Sequence, residues 1–418
     1  MINDILDILH SNKIDKFVIT DEIRESSELF FVKKQLDLTR AKKVHEVSLT
    51  VYHEFEKDKK HYLGSSEVFL SPNDTKEILQ KKILSAWELG AYVENPYFEL
   101  PTGQKNEMQV VETNLNSMDL IEAAKEMAKA LYSEDIEKDA FVNSSEFFAT
   151  KKTVRIINSS GCDVSYTKYG IDGEFVVQSN TLGKDVELHL QFEYDNLDTE
   201  AIKIKCREAL HSVRDRALAE PAPKDLTGIP IILCDGAVGE FLDFYLQRAN
   251  ASNIYPGYSP FCDGYEICDE CNKEKLNLTM VPDVPYSRDG VKMEKKIFIE
   301  DGIVKALHGR ASYSSYINIP QAGLFTGIEC GNGTVSLEEM KKTPYLMIKS
   351  FSDFQVDAMD GYFGGEFRLG YLFDGQKETI ITGGTVSGNI FEAQKNLEFS
   401  VERYRDAKYS GPAAVKIH

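Results

Sequence analysis

The stretch IPIILCDGAVGEFLDF, residues 229–244, runs a short apolar segment into a turn and then into a helix whose first residues carry two acids, Asp235 and Glu240, around Gly236. Two chemistries are open to that pair. Carboxylates at a helix start are stabilised by the positive end of the macrodipole and need no ligand. They are also hard oxygen donors, which suit magnesium or calcium better than hydrolytic zinc. Five residues apart on a regular helix, the two acids lie roughly 140° round the axis from each other. Sharing one ion would demand an irregular helix start. A second cluster is FCDGYEICDEC, where Cys268 and Cys271 form half of a zinc knuckle and Cys262 offers a third thiolate. A structural zinc site takes four ligands, and the next histidine is His308. These cysteines therefore read as a surface loop with reduced thiols.

The remaining candidates are weaker. His53 and Glu54 fall on opposite faces of a strand, and with His61 they read as a hairpin surface. His189 and His211 stand in a strand and a helix without ligand partners and read as structural. Ser259 is followed by Pro260 and lacks the G-x-S-x-G frame of a nucleophile elbow. GGEFRLG does not open a helix after a strand, so it is no dinucleotide fingerprint, and the chain holds no P-loop.

These groups must be positioned by a scaffold that the hydrophobic pattern outlines. Val47, Leu49, Val51 and Phe55 alternate with polar residues, which predicts a half-buried strand over 47–55. EKDKK turns the chain and HYLGSSEVFL returns as its hairpin partner. Asp74 with Glu77 predicts a capping box for a helix bearing Ile78, Leu79, Ile83, Ala86 and Trp87. A second helix carries Leu120, Ile121, Ala124, Met127, Ala128 and Leu131. Strands follow on both sides of the turn NSSG, then around EFVVQS and VELHLQFEY. A third helix starts near Asp198 with the stripe Ile202, Cys206, Leu210, Val213 and Ala217. The prolines of AEPAPKDLTG, residues 219–228, end it and set a domain boundary. One helix near 237–250 is then followed by β-type residues and many glycines. The run GYFGGEFRLGYLFDGQKETIITGGTVSGN predicts short, sharply bent strands with tight turns or bulges.

In its second half the chain resembles the TldD/PmbA family, also called modulators of DNA gyrase and classed with zinc peptidases. The resemblance rests on several motifs in order: IPIILCDGAVGEFLDF, YSPF at 258–261, IFIEDGIVKALHGRASY, FGGEFRLGYLFDGQ, and ITGGTVSGN ending in Ser387, Gly388 and Asn389. The first half matches through the NSSG hairpin and the helix before the linker. The active branch, TldD, carries H-E-x-x-x-H at this helix start. Aligned on AVG, its histidines fall on Asp235 and Glu240 and its glutamate on Gly236. It also draws a cysteine ligand from near its C-terminus, whereas here no cysteine follows Cys330. A catalytic zinc needs about three protein ligands and a base beside its water. Both imidazoles, the base and the thiolate are missing, so the chain resembles the zinc-less branch, TldE (PmbA).

The expected fold is α+β: an N-terminal domain of antiparallel sheet plus helices over 1–220, then a mostly β C-terminal domain of the TldD/PmbA type over 221–418. The resemblance implies a non-catalytic, TldE-like subunit of a cytoplasmic metallopeptidase that processes unfolded peptides. Zinc is expected only in a TldD-like partner, and the chain itself carries no cofactor. Two alternatives are a stand-alone metallopeptidase with a divergent metal site at Asp235, Glu240 or the cysteines, and a homodimeric peptide-binding protein.

Composition narrows the rest. Of 418 residues 42% are hydrophobic, enough for a sizeable core, and 48 basic against 67 acidic residues give a net charge of −19. With no basic patch, direct contact with nucleic-acid phosphate is not expected. The first residues, MINDILDILHSNKIDKF, are too charged for a signal peptide, and no apolar run reaches membrane length. A cytoplasmic chain is expected. Seven cysteines, an odd number, argue against a complete disulfide framework.

Overall fold

A computed structural model describes residues 1–183 and 185–418. The first sheet is antiparallel apart from one short parallel edge. It contains β1 (Lys16–Val32), β2 (Gln35–Lys57), β3 (Lys60–Leu70), β4 (Gln109–Val110), β5 (Ala140–Asn158), β6 (Asp163–Ser179) and β7 (Val186–Tyr194), in the order β3-β2-β1-β5-β6-β4, with β7 also on β6. The hairpin expected at 47–70 is present, and Lys57 pairs with Lys60 across its turn. β2 is far longer than its apolar part, and EFVVQS continues β6 rather than forming a strand of its own.

Four helices cover this sheet. α1 (Ile2–Ser11) and α2 (Lys76–Gly90) bury Ile5, Leu9, Leu79 and Ile83 against Ile19, Leu49 and Val51. α3 (Leu120–Ser133) and α4 (Thr199–Leu218) bury Met127, Leu131, Ile202, Cys206, Leu210 and Val213 against Phe147 and Phe175. α4 starts beside Asp198 as expected, and the Asp198 carboxylate caps it, accepting the Ala201 N–H at 2.9 Å. The cap of α2 differs. Thr75 Oγ1 accepts from Ile78 N–H, while Asp74 accepts from Ser71 N–H and pairs with Lys82 at 2.7 Å. Ile78, placed in the stripe by spacing, is exposed.

The remaining strands are β8 (Glu220–Pro221), β9 (Ile231–Cys234), β10 (Leu278–Val281), β11 (Lys296–Glu300), β12 (Ile303–Val304), β13 (Gly327–Cys330), β14 (Tyr345–Val356), β15 (Tyr362–Phe373), β16 (Glu378–Thr382), β17 (Gly384–Asn389), β18 (Leu397–Phe399), β19 (Arg403–Arg405), β20 (Tyr409–Pro412) and β21 (Ala414–Ile417). They form a six-stranded sheet, β12-β11-β10-β13-β20-β19, and an eight-stranded one, β18-β21-β9-β14-β15-β16-β8, with β17 on β15. Between the sheets runs α5 (Gly236–Arg248), whose Val238, Phe241, Leu242, Tyr245 and Leu246 are buried against Phe298, Phe363, Phe367 and Val415. The fold is thus α+β, with helices on the first sheet and a mostly β second part.

Proline does end α4, but the following segment is not a free linker. Glu220 and Pro221 pair in parallel with Ile381 and Thr382 of β16. A further core joins the two parts: Tyr286 and Ala311 pack with Val18, Leu63 and Tyr166 of the first sheet and with Phe98 of the loop that follows α2. Among the described residues no helix is long and apolar enough to cross a membrane.

Candidate functional site

The strand-turn-helix at 231–248 faces a cleft of about 2610 Å3 lined from both parts of the chain: β7 and α4 on one side, α5, β14 and the segment 402–409 on the other. β9 is fixed between β14, to which it runs parallel, and β21, to which it runs antiparallel. The chain then turns at Asp235, whose φ of 55° and ψ of −126° are costly for a residue with a Cβ. Its N–H donates to Ala413 O at 2.8 Å and its C=O accepts from Val238 N–H at 3.1 Å. One turn later α5 passes so close to β20 that a Cβ on Gly239 would lie 2.8 Å from Tyr409 Cβ. That contact accounts for the glycine in AVG.

The Asp235 carboxylate does not cap the helix, contrary to the dipole reading of the sequence. It accepts from Lys349 Nζ of β14 at 2.7 Å, and the same ammonium lies 3.1 Å from Glu208 Oε2 of α4. Burial opposes the charge on Lys349, but Asp235 and Glu208 outweigh it and raise its pKa well above the ordinary lysine range. Lys205, one turn before Glu208, stands over the Tyr404 ring at 5.9 Å and makes no ion pair with a described residue. Burial lowers its pKa. Tyr371 donates to Asp215 Oδ2 at 2.5 Å on the same side of the cleft.

Glu240 is not brought to Asp235. Its charged neighbours are Asp243, Asp406, Asp353 and Lys408; burial and those three acids push its carboxyl up. Gly236 contributes no side chain. The residues at this helix start therefore do not fit a zinc centre: one acid is held by an ammonium, the other faces elsewhere, and no base stands between them. Among the described residues no three or more His, Cys, Asp or Glu side chains gather as a metal site.

The cysteine cluster is a loop with free thiols, as expected, but most of it is not at the surface. Cys268 is buried in the core around α5 and Cys271 is half-buried, while Cys262 is exposed and stands apart. Cys271 Sγ donates to the carbonyl oxygens of Cys268 and Gln394 at 3.7 and 3.8 Å, and burial, then Cys268, push its thiol up to about 12. Such a thiol stays protonated at neutral pH and is a poor metal ligand. His189 and His211 do have partners, one carboxylate each: Glu174 at 3.4 Å and Asp215 at 3.3 Å. His61 pairs with Glu54 at 2.7 Å on the hairpin surface, and the His53 ring packs 4.6 Å from Trp87. Sequence reasoning missed Lys349, Lys205 and Glu208, because none stands in a motif.

The opposite wall is acidic, with Asp172, Glu174 and Glu193 on adjacent strands. Burial, then Glu193 and Glu174, push the Asp172 carboxyl up to about 6. A carboxyl raised in the folded state favours folding fully below its unfolded value near 3.9 and loses that contribution as pH rises through about 6. Asp172→Asn is therefore expected to stabilise the protein at pH 7.5 by about 1 kcal/mol, after allowing for solvent screening in the cleft. The gain should vanish at pH 4.5. Urea unfolding at both pH values tests this, and an equal effect at both contradicts the assignment.

Residues 227–417 match the family of the PmbA/TldA metallopeptidase C-terminal domain. The whole fold is similar to that of TldE from Thermococcus kodakarensis, with a TM-score of 0.78 at 15% identity, covering 99% of this chain and 98% of that one. A metalloprotease of Archaeoglobus fulgidus is 24% identical over 149 residues, which are 32% of this chain and 35% of that protein, so the match spans about a third of that relative.

Proposed function

From a chain whose residues 227–417 form a C-terminal domain of the PmbA/TldD type, we propose that it serves as a TldE-like, non-catalytic subunit of a peptidase. It would complete the chamber of a zinc-bearing TldD-like partner that cuts unfolded peptides. The observation that carries this reading is the Lys349–Asp235 pair at 2.7 Å. The acid aligned with a zinc ligand is held by the chain's own cation, and Gly236 offers nothing to take a proton from water. Amide hydrolysis at a metal needs both a ligand cage and such a base.

The cleft suits an extended peptide. Its volume of about 2610 Å3 exceeds that of an ordinary small-molecule pocket of roughly 300–1,000 Å3. Its walls mix polar and aromatic groups without a closed, shape-specific cavity, which favours backbone contacts that do not depend on sequence.

Two samples test the proposal: the purified chain alone, and the chain mixed with a subunit carrying H-E-x-x-x-H, each supplied with zinc and an unstructured peptide. The expected result is cleavage in the mixture above that of the partner alone, with none by this chain by itself. Turnover by the isolated chain that disappears on Glu240→Ala overturns the reading and favours a stand-alone enzyme. A partner equally active with and without this chain also overturns it.

A further inference from the structure

We propose that Arg248 holds a carboxylate, the free C-terminus of an extended peptide, where the end of α5 borders the cleft. This rests on the reading of the cleft as a seat for a peptide, and it names the end of the peptide that is held.

Arg248 stands in the last turn of α5 and is 4% exposed. Nη1 donates to the carbonyl oxygens of Ala358, Met359 and Tyr258 at 2.9, 3.1 and 3.3 Å. The rings of Phe391, Phe244 and Phe261 lie 5.2, 5.5 and 5.6 Å from the guanidinium carbon, within cation–π range. The carbonyls satisfy one nitrogen and leave the opposite edge. Nε is buried without a partner, and Nη2 meets no acceptor among the described residues. Burial holds the pKa below the ordinary arginine range, and the group that opposes it is the Tyr265 phenol, not a carboxylate. Arginine keeps its proton in proteins, so this is an enclosed charge without a counter-ion, a costly arrangement.

The unpaired edge is the one that recognises a carboxylate. Nε–H and one Nη2–H run parallel and match its two oxygens. Arg155 shows that geometry in this chain, donating from Nε and Nη2 to the two oxygens of Asp163 at 2.9 Å each. Of the residues around the Arg248 guanidinium, Phe244 and Phe261 are buried, whereas Tyr258, Met359 and Phe391 are exposed. A ligand therefore enters past those three and meets apolar surface before it meets the charge. That order fits a chain end, with the last apolar side chain against Met359 and Phe391 and the carboxylate on the fork. The cleft reaches Phe244 and Ala358, so a peptide lying in it brings its end to this point.

The test uses the full-length chain alone and a fluorescein-labelled unstructured peptide ending in leucine, read by fluorescence anisotropy. The free acid is expected to bind at least ~10-fold more tightly than the C-terminal amide, the effect of one charged hydrogen-bonded fork. Arg248→Lys keeps a cation but not the fork and should reduce that preference to ~3-fold or less. An amide with an internal glutamate should bind like the plain amide. Equal binding of acid and amide, or no binding of either, overturns the proposal. So does an unchanged preference in a folded Arg248→Lys variant, or a glutamate-bearing amide that binds as tightly as the free acid. Should that variant not fold, the parent decides with a peptide whose last residue is p-benzoylphenylalanine. Irradiation is expected to attach it at Tyr258, Met359 or Phe391, and attachment elsewhere overturns the proposal. No readout here uses a partner or a cleavage step, so failure leaves the subunit role to be judged by the mixed-subunit assay, and failure of that role leaves this binding result standing.

Discussion

Gly365→Ala is expected to lower the unfolding free energy by about 3 kcal/mol or more, a large share of the stability of an ordinary domain. A Cβ at this position would lie 2.2 Å from Asp353 O and 3.0 Å from both Phe351 Cδ1 and Phe354 Cα. The nearest obstacle is backbone, which cannot rotate away, so β14 and β15 must separate where they pair Phe354 with Gly365. Here the ladder is already irregular, with register shifts between Ile348 and Ser350, Ser350 and Phe351, and Phe351 and Asp353. Overpacking of a rigid contact costs roughly 1–3 kcal/mol even in a yielding core. Gly331→Ala is the control. Its Cβ would meet Asn277 Cβ at 3.5 Å, ordinary contact, and should change stability by less than about 0.5 kcal/mol. Urea unfolding of both variants, followed by circular dichroism, makes the comparison. Equal midpoints would show that the strands close by some other means than the missing side chain.

That glycine belongs to the part of the fold that was readable. A run rich in glycine among aromatic residues predicts bent strands, and the bulges of β14 opposite β15 are what bends them. α4 was readable for a simpler reason: Ile202, Cys206, Leu210, Val213 and Ala217 keep one face of a 3.6-residue period, and all are buried. β1 was not. Its middle, Asp21 to Glu25, is charged and shows no apolar alternation. The structure explains why a strand persists there: Asp21 meets His45 at 2.6 Å, Glu22 meets Lys152 at 2.9 Å, and Glu25 meets Lys43 at 3.1 Å across neighbouring strands. Cross-strand ion pairs replace the hydrophobic signal, and such pairs are invisible until the partner strand is known.

The candidate site divides the same way. That Asp235, Gly236 and Glu240 open a helix was legible from the apolar run before them and the stripe after them. What the acids do was not, because Lys349 is separated from Asp235 by 114 residues and from Glu208 by 141. In the sequence Lys349 stands between Ile348 and Ser350 like any solvent-facing strand residue. Local patterning reports which face a side chain takes, not which distant element it meets. Sequence spacing also predicts that Asp235 and Glu240 point apart, and Glu240 does not share the Lys349 ammonium that holds Asp235.

Acid should weaken the protein through His308, a residue that the sequence reading named only as too distant to complete the cysteine cluster. The ring is 1% exposed, and burial pushes its pKa down to about 4. Phe325 N–H donates to Nδ1 at 3.1 Å, and Nε2 donates to Leu246 O at 2.9 Å near the end of α5. The backbone of His308 adds two bonds to the same region, N–H to Ala249 O and C=O from Ala251 N–H. The neutral ring satisfies both partners, whereas a protonated ring would set its second N–H against that of Phe325. A histidine depressed from about 6.5 to about 4 contributes its full stability above pH 6.5 and loses it as pH falls toward 4, because the unfolded chain takes up the proton first. By pH 4.5 the loss is roughly 2–3 kcal/mol at 1.36 kcal/mol for each pH unit. Asp172 opposes this over the same range, regaining about 1 kcal/mol, which is too little to cancel it. His308→Ala isolates the effect. At pH 7.5 it should cost about 3 kcal/mol, since it leaves the buried Phe325 N–H without a partner, takes one of two donors from Leu246 O and opens a cavity. At pH 4.5 the gap between variant and parent should shrink to about 1 kcal/mol or less, because the parent has already lost what the ring supplied. Parallel stability curves for parent and variant between pH 7.5 and 4.5 would mean that this imidazole is not the group that responds to acid.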